Sequence, residues 1–169
     1  MIDIITGDIT TLEVDAVVNA ANSALRGGGG VDGAIHRASG PQLMAELKKF
    51  PGCDTGDAVR TGAYNLRAKY VIHAVGPVWQ GGESSEPELL ARAYDSSFAR
   101  AREAGDVRSI AFPAISTGIY SYPKREAARI ALATMIDHEA EYDRIVACLF
   151  DDVDATLYRR TLAELRHER

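Results

Sequence analysis

Short apolar runs bounded by Gly, Asn, Asp and Pro alternate along this chain with longer stretches of helical periodicity. The short runs read as strands, the longer ones as helices, and their alternation is the pattern of an α/β layer architecture. Strands are predicted at Ile2–Ile5, Ala16–Ala20, Tyr70–Val75, Ser109–Pro113 and Arg144–Phe150, with a weaker one at Ala58–Tyr64. Several are apolar throughout rather than at alternate positions, which predicts central strands covered by helices on both faces. Helices are predicted over Val31–Ala38, Gln42–Lys49, Pro87–Ala104, Lys124–Glu139 and Asp154–Arg166. Ser85 is a candidate cap and Pro87 a first-turn residue of the third helix, Gly105 ends it, and Pro123 opens the fourth. No internal repeat interrupts this frame, and "QGGESSEP" reads as a loop rather than a linker, so one domain over 1–169 is expected.

The composition adds limits to that frame. With 169 residues, 46% of them hydrophobic and 25% charged, the chain suits a single core. Its formal charge of −5 argues against extended nucleic-acid binding, which works through many Lys and Arg contacts to phosphates. A small anionic ligand remains compatible, because backbone N–H groups can hold one. The opening "MIDIITGDITTLEVD" is acidic within three residues, unlike a signal peptide, and no apolar run approaches a membrane span. A soluble cytoplasmic protein with no membrane partner is therefore expected. The two cysteines fit that compartment: Cys53 lies in "PGCDTGD" and Cys148 in "IVACLF", without metal-type spacing.

The polar residues that could carry chemistry fall at the ends of predicted strands, where open α/β sheets bind ligands. In "TGDIT", Asp8 could accept a hydrogen bond from an exocyclic amine or could simply cap a turn. In "NAANSALRGGGGVDGAIHRASG", the segment Gly28–Gly33 matches G-x-G-x-x-G but is not a dinucleotide fingerprint. Residues 22–26 separate it from its strand, and a second helical pattern, not a strand, follows its helix. Successive glycine N–H groups leading into a helix nevertheless form an anion-binding concavity. Asn22 and Asp32 bracket that loop. Asp32 also suits a helix N-cap and Asn22 a plain turn. In "FPAISTGIYSYP", Ser116, Thr117, Gly118, Ile119 and Tyr120 could form a second phosphate loop or a plain strand-to-helix connection. In "FDDVD", Phe150 could stack on a base or belong to the core. His36, His73, His138 and His167 read as structural or solvated, with no Ser or Cys nucleophile at a strand-to-helix elbow. No Asp/His/Cys grouping suggests a metal, and no cofactor is expected.

Taken together and in this order, "GDIT", "VVNAAN", "GGGGVDGAIHRASG", "HAVGPVW" and "AFPAISTGIYSYP" resemble the macrodomain family, and within it the MacroD-type ADP-ribosyl hydrolases. The resemblance covers about Ile4 to Tyr158. It implies a three-layer α/β/α fold with a mixed, mostly parallel sheet and ADP-ribose in a crevice at the strand ends. By position, Asp8 and the Ile9 N–H would meet adenine, and Gly30, Val31 and Asp32 would line one side of the diphosphate and distal ribose. Asn22 would bond a distal ribose hydroxyl, Ser116 to Tyr120 would cradle the diphosphate from the other side, and Phe150 would flank the adenine. At Asp154 the chain departs from its relatives, which often carry Asn there.

The implied reaction is hydrolysis of an ester on the distal ribose, either the acetyl of O-acetyl-ADP-ribose or the Asp/Glu side chain of a mono-ADP-ribosylated protein. Asp32 would orient and partly deprotonate a water, and Asn22 would fix the ribose. Because a carboxylate is a weak base at neutral pH, a water held also by a substrate phosphate oxygen is an equal alternative. A binding-only ADP-ribose reader is the second reading; it would need the glycine loops but not the Asn22 and Asp32 pair. The broken fingerprint speaks against a nicotinamide-dependent oxidoreductase.

Overall fold

The computed structural model describes residues 1–169. In chain order come β1 (Ile2–Thr6), a 3-10 turn (Ile9–Thr11), β2 (Ala16–Ala21), α1 (Gly30–Ser39), α2 (Pro41–Leu47), β3 (Ala58–Gly62), β4 (Tyr70–Val75), α3 (Glu86–Ala104), β5 (Ser109–Phe112), α4 (Lys124–His138), a second 3-10 turn (Glu139–Glu141), β6 (Arg144–Leu149) and α5 (Asp152–Glu168). One six-stranded sheet runs in the order β1-β6-β5-β2-β4-β3. Neighbouring strands are parallel except β3, which pairs antiparallel to β4 at the edge. No helix is long and apolar enough to cross a membrane.

The continuous apolar strands are buried on both faces, as their pattern predicts. Ala16 and Val18, Ile72 and Ala74, Ile110 and Phe112, and Ile145 and Ala147 point to one face, where they meet Tyr94 and Phe98 of α3, Leu132 of α4 and Tyr158 of α5. Val17, Val71, Ala111 and Val146 point to the other and meet Ile35 of α1 and Leu43 and Leu47 of α2. Each fully buried Val, Leu, Ile or Phe among them contributes about 1.5–3 kcal/mol relative to exposure. The result is a three-layer α/β/α arrangement. Two polar residues, Asn19 and His73, sit fully buried in the sheet and face each other across the β2–β4 register.

Boundaries differ from the sequence reading where side chains cap the backbone. The last helix begins at Asp152 rather than Asp154, because Asp151 Oδ1 accepts from the Asp154 N–H at 2.9 Å. Ser85 is not a side-chain cap: it is left-handed (φ 63°) and makes no capping bond. The buried carboxylate of Glu86 takes over, accepting N–H bonds from Gln80 (2.8 Å), Gly82 (2.9 Å) and Ser84 (2.6 Å). A buried acceptor charge needs such donors, and three convergent N–H groups fold the 80–84 loop onto the helix start.

Burial would raise the Glu86 pKa, but the N–H bonds outweigh it and hold the pKa below the ordinary 4.5. A depressed carboxyl contributes stability that is complete above its unfolded-chain pKa and is lost as pH falls through its lower folded value. In urea denaturation, Glu86→Gln is therefore expected to lower stability at pH 7. The gap to wild type should narrow as both proteins are taken below pH 4.5; a gap of constant size would show that the charge contributes nothing.

Candidate functional site

At the carboxyl ends of β2, β4 and β5 lies a cavity of about 550 Å³. Ala20 and Ala21 of β2 and Gly76 beyond β4 form its floor, with Asn22 and Gly28 through Asp32 on one wall and Ala114 through Ser116 and Gly118 through Tyr120 on the other. No Lys or Arg lines it. What lines it instead is bare backbone donors. The N–H groups of Gly28 to Asp32 and of Ser116 to Tyr120 donate to no group of the chain. The first set opens α1, so the positive end of the helix dipole adds to it. In the second loop three of the carbonyls are spent elsewhere. Ser116 O accepts from Tyr122 N at 2.9 Å, Gly118 O from Ser121 N at 3.0 Å and Tyr120 O from Trp79 N at 2.9 Å. Both loops therefore present donors to the cavity, which is the arrangement that holds an oxyanion without a cation.

The backbone that does this is tightly constrained. Gly27 (φ 81°) and Gly30 (φ 58°) are left-handed, a conformation glycine adopts without strain. Gly33, one turn into α1, lies so close to the loop that a Cβ would stand 2.6 Å from Gly28 O. Across the cavity, Ser116 is left-handed at φ 69° although it carries a side chain. Its buried hydroxyl has no partner, and a Cβ on Gly76 would collide with it.

The polar side chains gather at one end. Asp32 is the third residue of α1 and not its N-cap, a place held by Gly29. It is only 6% exposed. Its Oδ1 accepts from Asn19 Nδ2 at 2.8 Å, and His36 Nε2, one turn further along, stands 3.3 Å from the same oxygen. Oδ2 is turned toward the glycine loop, 3.4 Å from where a Gly28 Cβ would be. Asn22 Nδ2 donates to Gly27 O at 2.9 Å and closes the turn, while its buried Oδ1 has no partner. Behind them, burial and then His36 hold the His73 pKa down at about 3, so that ring is neutral. Burial also pushes both thiols up to about 11, which leaves neither cysteine a thiolate at neutral pH.

With this geometry in view, the comparisons with known proteins are direct. A family model described as Macro domain matches residues 18–131. The chain is 54% identical over 168 residues to an O-acetyl-ADP-ribose deacetylase of Klebsiella pneumoniae, covering 95% of each. It belongs to the Macro domain family. This macrodomain is also 53% identical over 163 residues to the ADP-ribose glycohydrolase MACROD2 of Homo sapiens, covering 94% of this chain and 38% of that one. The solved Oceanobacillus iheyensis macrodomain with ADP superposes with a TM-score of 0.91 at 38% identity, covering 98% of this chain and 92% of that one.

Of the residues expected from sequence, the macrodomain cavity brings together Asn22, Gly30, Val31, Asp32, Ser116, Gly118, Ile119 and Tyr120. Thr117 is in the same loop, but its hydroxyl turns back to Ala114 O at 3.3 Å. Asp8, Ile9 and Phe150 stand outside the cavity wall. Asp8 does cap a turn: its Oδ1 accepts from the Thr10 hydroxyl (2.7 Å) and N–H (2.9 Å), bonds that hold its pKa low; Oδ2 takes neither. Ile9 is 5% exposed, within the core. Phe150 is 90% exposed, so it is not a core residue. Asp154 receives Lys124 Nζ at 2.9 Å. Asn19 and Gly76 were not singled out from the sequence. Their signal was an amide inside the apolar run "VVNAA" and a glycine directly after "VIHAV", but only the fold shows that Asn19 faces His73 across the β2–β4 register and that Gly76 lies against Ser116.

An Ala for Gly substitution inside a helix ordinarily stabilises it by about 1 kcal/mol. At Gly33 the contact with Gly28 O reverses the sign, since overpacking against backbone costs about 1–3 kcal/mol. Gly33→Ala is therefore expected to lower the urea midpoint of the macrodomain, whereas a stabilised variant would show that the loop yields easily.

Proposed function

We propose that this chain is a hydrolase that binds ADP-ribose in its cavity and cleaves esters on the distal ribose. Its substrates would be O-acetyl-ADP-ribose and mono-ADP-ribose carried on Asp or Glu side chains of proteins. The observation that carries the reading is the pair of facing donor loops with a buried carboxylate at one end. A diphosphate is dianionic, and backbone N–H groups can neutralise it where no Lys or Arg lines the wall. The relatives named as an O-acetyl-ADP-ribose deacetylase and an ADP-ribose glycohydrolase support the activity, and the neighbour with ADP supports the ligand.

In this reading the diphosphate lies between the Gly28–Asp32 backbone and the Ser116–Tyr120 backbone, with the distal ribose toward Asn22. The orphan Asn22 Oδ1 accepts from a ribose hydroxyl, which supplies the partner it lacks. Asp32 Oδ2 holds a water whose oxygen attacks the ester carbonyl carbon. The tetrahedral species collapses with rupture of the bond to the ribose oxygen, which takes up one proton of the water and becomes a hydroxyl, while the acid leaves as its carboxylate and gives the other proton to solvent. Since a carboxylate is a weak base, orientation of the water is the larger contribution of Asp32, with a substrate phosphate oxygen as a second holder. A module that only bound ADP-ribose would use the two loops equally well. It would gain nothing from a buried carboxylate with one oxygen fixed and the other turned toward the cavity.

Asp32→Ala is expected to reduce release of ADP-ribose from a Glu-modified protein by at least about a hundredfold, within the usual range for a group that activates water. Calorimetry on the same variant should still register ADP-ribose binding. Turnover at the wild-type rate would remove Asp32 from the chemistry.

A further inference from the structure

The proposed reaction needs Asp32 to keep one oxygen toward the cavity, and the structure contains a buried hydrogen-bond chain that ends on the other oxygen. It starts at the sheet edge. The Thr61 hydroxyl lies 3.0 Å from Gly62 O and 3.0 Å from His73 Nε2; His73 Nδ1 lies 3.1 Å from Asn19 Nδ2; and Asn19 Nδ2 lies 2.8 Å from Asp32 Oδ1. Three of the four side chains, Thr61 (2% exposed), His73 (0%) and Asn19 (0%), are sealed from water, and the fourth, Asp32, is 6% exposed.

The direction of every proton in this chain is fixed by its two ends. Gly62 O can only accept, so the Thr61 hydroxyl donates to it and must itself accept from His73 Nε2–H. The neutral ring then has Nδ1 as an acceptor. Asp32 Oδ1 likewise accepts, so Asn19 must turn its NH2 group toward both, giving one hydrogen to Asp32 and the other to His73. The alternative rotation of the Asn19 amide would set its oxygen against a carboxylate and a bare ring nitrogen. This orientation leaves Asn19 Oδ1 buried without a partner, the cost of satisfying two acceptors with one amide.

We infer that His73, locked by Thr61 as its Nε2–H tautomer, is a positioning residue: it orients the Asn19 carboxamide, and through it the Asp32 carboxylate, for hydrolysis. His73 and Thr61 line no part of the cavity, so neither touches substrate. The inference rests on the hydrolase reading for its effect on rate, but not for its effect on protonation.

The test joins kinetics to imidazole NMR. In the wild type, two-bond 1H–15N spectra are expected to show His73 protonated at Nε2 alone. Thr61→Val removes the acceptor at nearly constant volume; it should lower kcat about tenfold, the scale of a small misplacement of a reacting group, with ADP-ribose affinity unchanged, and Thr61→Ser should restore kcat. His73→Phe should lower kcat further, again without loss of ADP-ribose binding. The inference is overturned by an Nδ1–H ring in the wild type, by a Thr61→Val enzyme with wild-type kcat, or by kcat and affinity falling together, which would indicate a merely structural role. If the wild type hydrolyses no ADP-ribosyl ester, the functional reading fails. The positioning chain is then decided by the NMR alone, since the Asn19 carboxamide and Asp32 carboxylate resonances must shift in Thr61→Val if the chain is intact and stay in place if it is not.

Discussion

The 2.8 Å bond from Asn19 to Asp32 is the contact on which the rest of this molecule depends. A carboxylate that is 6% exposed needs hydrogen-bond donors in place of water, and a hydrogen bond to a charged group contributes about 1.5–3 kcal/mol. For the bond to form, the first turn of α1 must lie directly over the end of β2. That position brings the helix backbone against its own incoming loop, so Gly33 can carry no Cβ. It also forces the chain through left-handed turns at Gly27 and Gly30. The glycine run is thus a geometric consequence of seating one charge, and the unused N–H groups it exposes come with it.

Those N–H groups explain how a chain with a formal charge of −5 can host an anionic ligand. A lysine or arginine at the cavity wall would attract a diphosphate strongly, but beside Asp32 it would also compete for the carboxylate. Backbone donors avoid this because they are fixed in direction and cannot swing across. The parallel sheet provides the place for them. With β2, β4 and β5 ending together, the connections that follow two of these strands meet above the floor, and each can turn its amides inward.

The strands and helices were legible in the sequence to within one or two residues, because their apolar runs are continuous and both faces of the sheet are covered. The misreadings share a cause: a side chain other than the expected one satisfied the backbone, as the neighbouring Glu86 does where Ser85 was expected and as Asp151 does ahead of Asp154. Both donor loops and the Asn22 and Asp32 pair were also legible, since glycine and strand ends mark them locally. The support behind Asp32 was not. Asn19 and His73 are 54 positions apart, and nothing in either local pattern says that they share one register row. Each is a polar residue alone within an apolar run, and only once paired does such a residue tell where a sheet is built for more than packing.

The two loops reach the same end by opposite means. The first relies on glycine, so its left-handed turns are nearly strain-free, and the difficulty it faces is the entropy of ordering bare backbone. The second has ordinary side chains at Ser116 and Ser121, both left-handed at φ 69° and 60°, which costs about 1–3 kcal/mol at each residue. It is held in place from outside: Tyr94 OH accepts the Ile115 N–H at 3.1 Å, and Trp79 N donates to Tyr120 O at 2.9 Å. An unliganded molecule therefore carries strain and unmade hydrogen bonds on one wall and an ordered glycine loop on the other. A ligand that meets both sets of donors makes those hydrogen bonds without moving either wall, which is how a site without a single cation can accept a charged molecule.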